Sequence, residues 1–287
     1  MILPEEERFQ LIRSLPFLSI PLGCLLVFWT GVSPVALALC AAMYVIRLCA
    51  IGVGYHTYFA HRAFKTGRVF QFLLAVVGAS AAQNGPLWWA GGHRYHHRRA
   101  DAEDDLHSPR KSLWWAYAGW LLCKKNSRTM EEEVQDFLQF PELRWLNRYH
   151  VLSPAALIII LFLLGTWLHH AHPSLRTSGL QMVVWGFCVS TTLMYHATFL
   201  VNALSHRIGW RRFHTGDGSR NIGWLAVVTM GEWHNNHHAF PASARRGFTP
   251  WEIDVSYYVI KALSWIGLVW DVREPPAEAL TTPGVRL

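Results

Sequence analysis

Four long apolar runs limit what this chain can fold into more than any other feature of its sequence. A helix needs about 20 mostly apolar residues to cross a bilayer. A turn at 31–34 joins the first two runs, and a short polar stretch ending at Gly179 joins the last two. The runs cover residues 15–30, 34–53, 151–168 and 180–201. This pattern predicts an all-α integral membrane protein with four transmembrane helices in two hairpins.

The rest of the sequence predicts a large polar part on one side of the membrane. Hydrophobic residues make up 52% of the 287 and charged residues 16%, so the chain cannot consist of spans alone. Of its 26 lysines and arginines, 13 lie between the second and third runs and nine follow the fourth, whereas only Arg176 lies in the opposite loop. The positive-inside rule therefore places both termini in the cytoplasm, with a helical cap formed by 54–150 and 202–271. Residues 272–287 are predicted to be a disordered tail.

Charge and cysteine content exclude several functions. The cytoplasmic flanks of membrane helices explain the net charge of +7, so we expect no nucleic-acid partner. The five cysteines form no CxxC pair, which argues against zinc fingers, iron–sulfur clusters and a disulfide framework. Three weaker apolar segments remain. Residues 69–82 are predicted to be a half-buried helix, whereas 113–122 and 257–270 fit either surface-lying helices or packed core.

Histidine clusters are the main functional signal. In the HxxHH pattern the histidines stand at i, i+3 and i+4, so each such cluster is expected to offer three imidazoles to one locus. The NALSH element places Asn202 and His206 on one helical face by the same reasoning. All of these elements are predicted to lie on the cytoplasmic side. The clusters are HTYFAH (His56, His61), HRYHH (His93, His96, His97) and HNNHH (His234, His237, His238).

Nine clustered imidazoles predict two first-row metal ions. A structural zinc takes four ligands and usually includes thiolates. Imidazole binds iron, copper, nickel and zinc, so ligand type alone leaves the metal open. The HExxH pattern of zinc proteases is absent, because Arg-Tyr follows His93 and Asn-Asn follows His234. Oxygen chemistry on iron is the expectation for a site that faces a membrane.

The other histidines carry separate expectations. His150 and His214 are predicted to be surface residues. His107 either lies behind the ligands or has no role. His196, within the fourth span, either lines a tunnel, lies behind the ligands or has no role. Solvated positions in the opposite loop are expected for His169, His170 and His172.

These motifs resemble the membrane-bound fatty acyl desaturases of the stearoyl-CoA (Δ9) desaturase family, in its bacterial branch. Box one, GYHTYFAHRAFKT, is similar to GxHRxxxHRxxK, and box three, GEWHNNHHAFPASARRG, to GExWHNNHHxxPxSAR. Box two, HRYHHRRADAEDDLHSP, is similar to HRxHHxxxDxxxDPHxx, except that Asp105-Leu106 replaces an Asp-Pro pair. The likeness runs from about residue 15 to 271, so a single desaturase domain over 1–287 is expected.

The resemblance implies that the nine clustered histidines hold two iron ions, and that Asn202 reaches one of them through a water. It implies O2-dependent desaturation of a fatty acyl chain, with Δ9 as the expected position, in a bacterial inner membrane with the active site cytoplasmic. We recognise no electron-carrier extension at either end. A separate donor of ferredoxin, rubredoxin or cytochrome b5 type is therefore expected. Its docking site could be the basic residues Arg94, Arg98, Arg99, Arg245 and Arg246, unless the neighbouring acids Asp101, Glu103, Asp104 and Asp105 neutralise Arg98 and Arg99.

The resemblance also suggests substrate-binding residues. Asn84 stands nine residues before His93, as in the family, and Phe199 takes the place of a headgroup tryptophan. Gly91 and Gly92 replace an Arg-Asp pair that contacts CoA in animal relatives. The basic pair Lys124 and Lys125 is kept, so acyl-CoA is expected ahead of an acyl-lipid substrate.

The end of the acyl tunnel is expected at Cys40 and Tyr44. These i, i+4 neighbours lie three to four turns before His56 on the predicted second span. Two other functions stay open. A hydroxylase or ketolase of the same membrane superfamily would use the same histidines, and a metal or haem transport protein would place histidines inside facing helices.

Overall fold

The computed structural model describes residues 7–281, and this part of the chain is almost entirely helical. The α-helices are α1 Leu11–Gly23, α2 Val27–Thr30, α3 Pro34–Cys49, α4 Arg68–Ala79, α5 Pro86–Arg99, α6 Leu113–Tyr117, α7 Gln135–Leu138, α8 Pro141–Arg148, α9 Leu152–Ala171, α10 Gly179–Val183, α11 Ser190–Leu204, α12 Gly223–Val228, α13 His234–Ala239, α14 Val255–Trp265 and α15 Ala277–Thr281. Short 3₁₀ turns lie at Cys24–Leu26, Gly119–Leu122, Glu131–Glu133 and Pro173–Leu175. The two-residue strands β1 (Lys65–Thr66) and β2 (Val269–Trp270) pair antiparallel, with Lys65 opposite Trp270.

Three helices in the described chain are long and apolar enough to cross a membrane: Pro34–Ala60, Leu152–Ala171 and Gly179–Leu204. The first predicted span corresponds to a shorter apolar helix, Ser14–Thr30. Pro16 and Pro21 lie inside α1, and a 3₁₀ turn separates α1 from α2. The α-helical run is therefore interrupted at this 3₁₀ turn, which begins three residues after Pro21.

Two π-helices lie within the long spans. Ala50–Ala60 continues α3, so the second span extends beyond its predicted end at 53. Val184–Val189 joins α10 to α11.

The third and fourth spans form a hairpin through small residues: a Cβ built on Gly165 would lie 2.8 Å from the Cα of Gly179. Glycines at such a crossing let two membrane helices approach closely.

The cap packs on the π-helical end of the second span. Tyr55 and Phe59 of this π-helix are fully buried, and Phe59 packs on Phe137 with ring centroids 4.9 Å apart. α4 is half-buried as predicted, since Leu74 is buried and Val69 is exposed. These contacts hold α5, which carries box two, against the end of the span.

The two Trp- and Tyr-rich segments combine both predicted roles. Trp115 and Trp120 are buried in the cap, whereas Trp114 is exposed. In the second segment Ile260 is fully buried and Trp265 is exposed. Each segment therefore packs one face on the core and presents the other outward.

The predicted disordered tail is ordered as far as residue 281. The backbone of Arg273 donates to the carbonyl of Ala63 and accepts from the N–H of Ala244, both at 2.8 Å. The hydroxyl of Tyr257 donates to Glu274 at 2.6 Å. The expectation of disorder for 272–281 was wrong. The composition of this segment is typical of disorder, but main-chain hydrogen bonds to the cap hold it in place. Residues 282–287 lie outside the described chain.

Candidate metal centre

Box one lies on the π-helix that ends the second span. The N–H of His61 donates to the carbonyl of His56 at 3.2 Å, an i to i+5 bond of the kind that defines a π-helix. On an α-helix, residues five apart would differ by about 140° around the axis. The wider π turn brings the two imidazoles to one side, with ring centroids 4.9 Å apart. This local geometry explains how histidines five residues apart share one site.

Each HxxHH box divides its histidines between two groups. On α5 the Nε2 atoms of His93 and His97 lie 3.1 Å apart in one group, whereas His96 belongs to the other. α13 repeats this division. The expectation that each box serves one locus was wrong. Residues four apart on an α-helix differ by about 40°, but neighbouring residues differ by about 100°, so the third histidine faces an adjacent site.

The first group contains five imidazoles whose Nε2 atoms converge. The Nε2–Nε2 distances are 2.9 Å for His61–His93, 3.1 Å for His93–His97, 2.9 Å for His97–His237 and 3.0 Å for His237–His56. Such a ring of nitrogen lone pairs suits a shared cation, which each imidazole could bind through the same atom.

The second group contains four imidazoles from three parts of the chain, namely His96, His206, His234 and His238. One nitrogen from each lies within 4.8 Å of the others. The Nε2 atoms of His96 and His238 are buried and have no hydrogen-bond partner among the described residues. Buried polar atoms are normally paired, so these two nitrogens are the clearest sign of an absent ligand.

A carboxylate holds the outer nitrogen of every histidine in the second group. An imidazole that donates Nδ1–H to a carboxylate presents an unprotonated, more basic Nε2 on its other side. This arrangement is common behind metal-binding histidines. The Nδ1 to oxygen pairs are His96–Asp105 (2.9 Å), His206–Asp101 (3.1 Å), His238–Asp217 (2.7 Å) and His234–Glu232 (3.3 Å).

Sequence reasoning gave these acids no such role. Asp101 and Asp105 stand in the acidic run after box two, and Glu232 precedes the histidines of box three. Their proximity to a histidine box could have identified these three acids as partners of the ligands. Asp217 lies in the loop between α11 and α12 and has no such signal.

The basic residues considered for donor docking are mostly engaged. Arg98 pairs with Glu133 and Arg99 with Asp104, so the acidic run neutralises only one of these two arginines. Arg94 binds both carboxylate oxygens of Asp136, at 2.9 and 3.0 Å. Arg245 donates to the carbonyl of Gly247 at 2.7 Å, and buried Arg246 pairs with Glu232.

The protonation states of the centre suit metal binding. Burial holds the pKa of His61, His93 and His97 well below the ordinary value, so these rings are neutral at physiological pH. Burial alone would raise the pKa of Asp105, but the hydrogen bond with His96, the charges of His96 and His107 and the N–H of Asp101 together lower it. Neutral imidazoles backed by ionised carboxylates are a donor set that fits two cations.

A cavity of about 680 Å³ reaches this centre. Ligand cavities commonly measure about 300–1,000 Å³. At one end it is lined by histidines of both groups, including His56, His93, His96 and His234. Its apolar walls include Phe17, Ile20, Leu48, Ile51, Ile158, Phe187 and Tyr195. An extended apolar molecule could therefore lie against the histidines and be shielded from water.

Two of the six predicted substrate residues line the cavity, namely Asn84 and Phe199, and Asn202 does so as well. Cys40 and Tyr44 do not belong to the lining, which on the second span begins only at Leu48. The Tyr44 hydroxyl instead donates to the carbonyl of Val228 at 2.6 Å.

The basic pair lies beside the cavity and not in its lining. Lys124 is exposed. The Nζ of Lys125 lies 3.2 Å from a carboxylate oxygen of Glu7, which also binds Lys111. The neighbouring residues Leu122 and Cys123 do line the cavity. Lys125 is thus part of an ion-pair cluster that includes the N-terminal segment.

The other histidines fall into three classes. His107 is buried, lines the cavity and packs on His96 with ring centroids 4.1 Å apart; burial lowers its pKa to about 3. His150 also lines the cavity, so the expectation of a plain surface residue was wrong. His196 is exposed and contacts the Tyr117 hydroxyl, outside the cavity lining. His169, His170, His172 and His214 are exposed, but His169 and His170 lie in α9 and not in the predicted loop.

Comparison with known proteins identifies the family of this chain. The fatty acid desaturase family model matches residues 28–266. The sn-1 stearoyl-lipid 9-desaturase of Anabaena variabilis is 34% identical, over 93% of this chain and 95% of its own length. Delta-9 acyl-lipid desaturase 1 of Arabidopsis thaliana is 34% identical, over 94% and 85%. The acyl-CoA C20 Delta5-desaturase of Anemone leveillei is 38% identical, over 82% and 73%. These matches confirm the resemblance and the oxidoreductase class, and the chain belongs to the fatty acid desaturase family.

Proposed function

We propose that this protein introduces a cis double bond into a saturated fatty acyl chain at a centre of two iron ions. One observation carries the proposal: histidines of both groups line a cavity whose surface is mainly apolar. Such a cavity suits an apolar chain. The protein atoms nearest to that chain would be the nitrogens proposed to bind metal. A metal carrier would not need such a cavity beside its ligands.

The two groups are proposed to hold one iron each. His56, His61, His93, His97 and His237 would bind the first ion through Nε2. The second ion would be bound by His96, His206, His234 and His238, and a water held by Asn202 would complete its ligands. Bound iron supplies the oxygen chemistry needed to remove hydrogen from an unactivated methylene.

The reaction balances with an outside source of electrons. Two neighbouring methylenes lose one hydrogen each and form a C=C bond, while O2, two electrons and two protons complete two molecules of water. The chain's own residues bind and orient the acyl chain and keep water from the reacting carbons. The donor is proposed to be a separate protein of ferredoxin, rubredoxin or cytochrome b5 type.

We propose four membrane passes, with α1–α2 as the first and both termini cytoplasmic. The distribution of lysine and arginine supports this orientation. The histidine boxes would then face the cytoplasm of a bacterial inner membrane. Cysteine labelling of exposed positions from each side, for example at Arg176 and at Arg144 of α8, would test it.

The proposed acyl carrier is a membrane lipid, with acyl-CoA as the second candidate. Among residues 7–281, the charged side chains that line the cavity are Glu232 and Arg246, which lie at the metal centre. The phosphates of CoA would need basic partners, and Lys125 is already paired with Glu7. Exposed Lys124 is the observation that keeps acyl-CoA as an alternative. Relatives of both kinds match this chain.

The Δ9 position is proposed from the names of the lipid-desaturating relatives.

The test is expression in a host that lacks its own desaturase, followed by fatty-acid profiling. We expect products that have lost two hydrogens, with a His97→Ala variant of equal abundance giving none. Products that have gained an oxygen would assign a hydroxylase instead. Purified enzyme supplied with a reducing donor and with either acyl-CoA or phospholipid vesicles would then identify the carrier.

A further inference from the structure

Arg47 is a buried arginine in the middle of an apolar span. It is 1% exposed and lies on the helix Pro34–Ala60, nine residues before His56. A charged group is costly at such a position and usually has a function. Arg47 belongs to neither histidine group. Its position therefore calls for a separate explanation.

Neutral oxygen atoms accept all the hydrogen bonds of its guanidinium. An arginine has five N–H bonds to donate. Three elements supply the acceptors: its own helix, the end of α4, and the junction between the second π-helix and α11. The acceptors are the carbonyls of Met43 (3.1 Å), Ser80 (3.4 Å) and Gly186 (3.5 Å) and the hydroxyls of Thr191 (2.6 Å) and Ser190. Arg47 thus connects three helices at one level.

This connection lies next to the last lining residues of the second and fourth spans. Along the second span, the lining runs from His56 back to Leu48 and stops beside Arg47. Along the fourth span, it runs from Asn202 back to Phe187. The guanidinium carbon of Arg47 lies 5.6 Å from the centroid of the Phe187 ring.

We propose that Arg47 sets the length of acyl chain that the enzyme accepts. It does so as a positioning residue, by fixing Phe187 and the three helices that close the cavity. This inference rests on the proposed function, since it takes the cavity to hold the acyl chain. One methylene more or less in a hydrophobic pocket changes discrimination by roughly 10–200-fold, so a rigid end wall is sufficient to select chain length.

Two variants separate this role from a general effect on folding. Arg47→Met keeps the length of the side chain and removes its donors, but it leaves buried oxygens unsatisfied. Arg47→Leu combined with Ser190→Ala and Thr191→Val removes side-chain donors and acceptors together, which is far less disruptive. Tyr44→Ala is the matched control, because Tyr44 lies on the same helix beyond the wall.

Each variant would be loaded with iron and given saturated chains that differ by two carbons. The readout is the ratio of product from a chain two carbons longer than the wild-type optimum to product from the optimum. We expect this ratio to rise by roughly tenfold in both arginine variants. The double-bond position and the metal content should stay unchanged. Tyr44→Ala should keep the wild-type ratio.

An unchanged ratio in the iron-loaded triple variant would overturn the proposal. A rise caused by Tyr44→Ala and absent from Arg47→Met would overturn it too, because the wall would then lie deeper. If wild-type enzyme desaturated no chain of any length, the proposed function itself would fail, and that result is recognisable without any variant.

Discussion

The Nδ1 atom of His238 lies 2.7 Å from a carboxylate oxygen of Asp217, while the Nε2 atom of the same ring is buried with no hydrogen-bond partner in residues 7–281. This pair orients a nitrogen lone pair toward the second histidine group. Burial alone would raise the pKa of Asp217, but its contacts with His238 and Ser219 together hold this pKa well below the usual range. A carboxylate lies at the Nδ1 atom of each of the other three histidines in that group as well.

The first prediction is that Asp217→Asn weakens metal binding roughly 10–100-fold, as loss of such a partner usually does. An amide offers an N–H as well as an oxygen, so it no longer fixes the imidazole with its proton on Nδ1. Competition with a chelator of known affinity would measure the change. Asp104→Asn is the control, because that exposed carboxylate pairs with Arg99 at the surface. Equal affinities in both variants would contradict the role given to Asp217.

The second prediction concerns adjacent histidines with different partners. His96→Ala should lose the ion of the second group and His97→Ala the ion of the first, so each purified variant should hold about half the wild-type iron. Both should be inactive, since the reaction needs the whole centre. His150→Ala removes a cavity-lining imidazole outside both groups and should keep full iron. A full complement of iron in either of the first two variants would contradict this assignment of the histidines to two groups.

The third prediction separates the two lysines of the basic pair. Lys125→Ala removes one partner of Glu7 and should loosen residues 7–10, whose backbone bonds to Leu122 at 2.9 Å. Limited proteolysis near the N-terminus should therefore be faster than in wild type, whereas Lys124→Ala should not change it. High salt should raise the cleavage rate of wild-type protein toward that of Lys125→Ala, because salt screens exposed ion pairs. If both variants were cleaved at the same rate, the structural role given to Lys125 would be contradicted.

The elements that hold the site were largely predictable from sequence. Apolar runs of sufficient length located the three long spans, and histidine spacing identified all nine residues that now lie in two groups. The grouping itself could not be foreseen, because it depends on how each helix is rotated about its axis. His96 and His97 are neighbours in sequence but point about 100° apart, and only the packing of α5 decides which site each one faces.

Other features depend on contacts that no local pattern records. The π-helix that brings His56 and His61 together is packed against the cap, and an HxxxxH spacing alone does not predict it. The far end of the cavity was expected at Cys40 and Tyr44 from their distance along one helix. Three helices fix that end together, however, and the closing residue on the second span is nearer to the histidines.

The central claim is that the two histidine groups hold two iron ions. Iron and other metals should be quantified, per chain, in wild-type protein purified from cells grown with ample iron, copper and zinc. Two iron ions per chain are predicted, with neither zinc nor copper in stoichiometric amount. A single metal ion per chain, or stoichiometric zinc or copper in place of iron, would contradict the assignment of the centre.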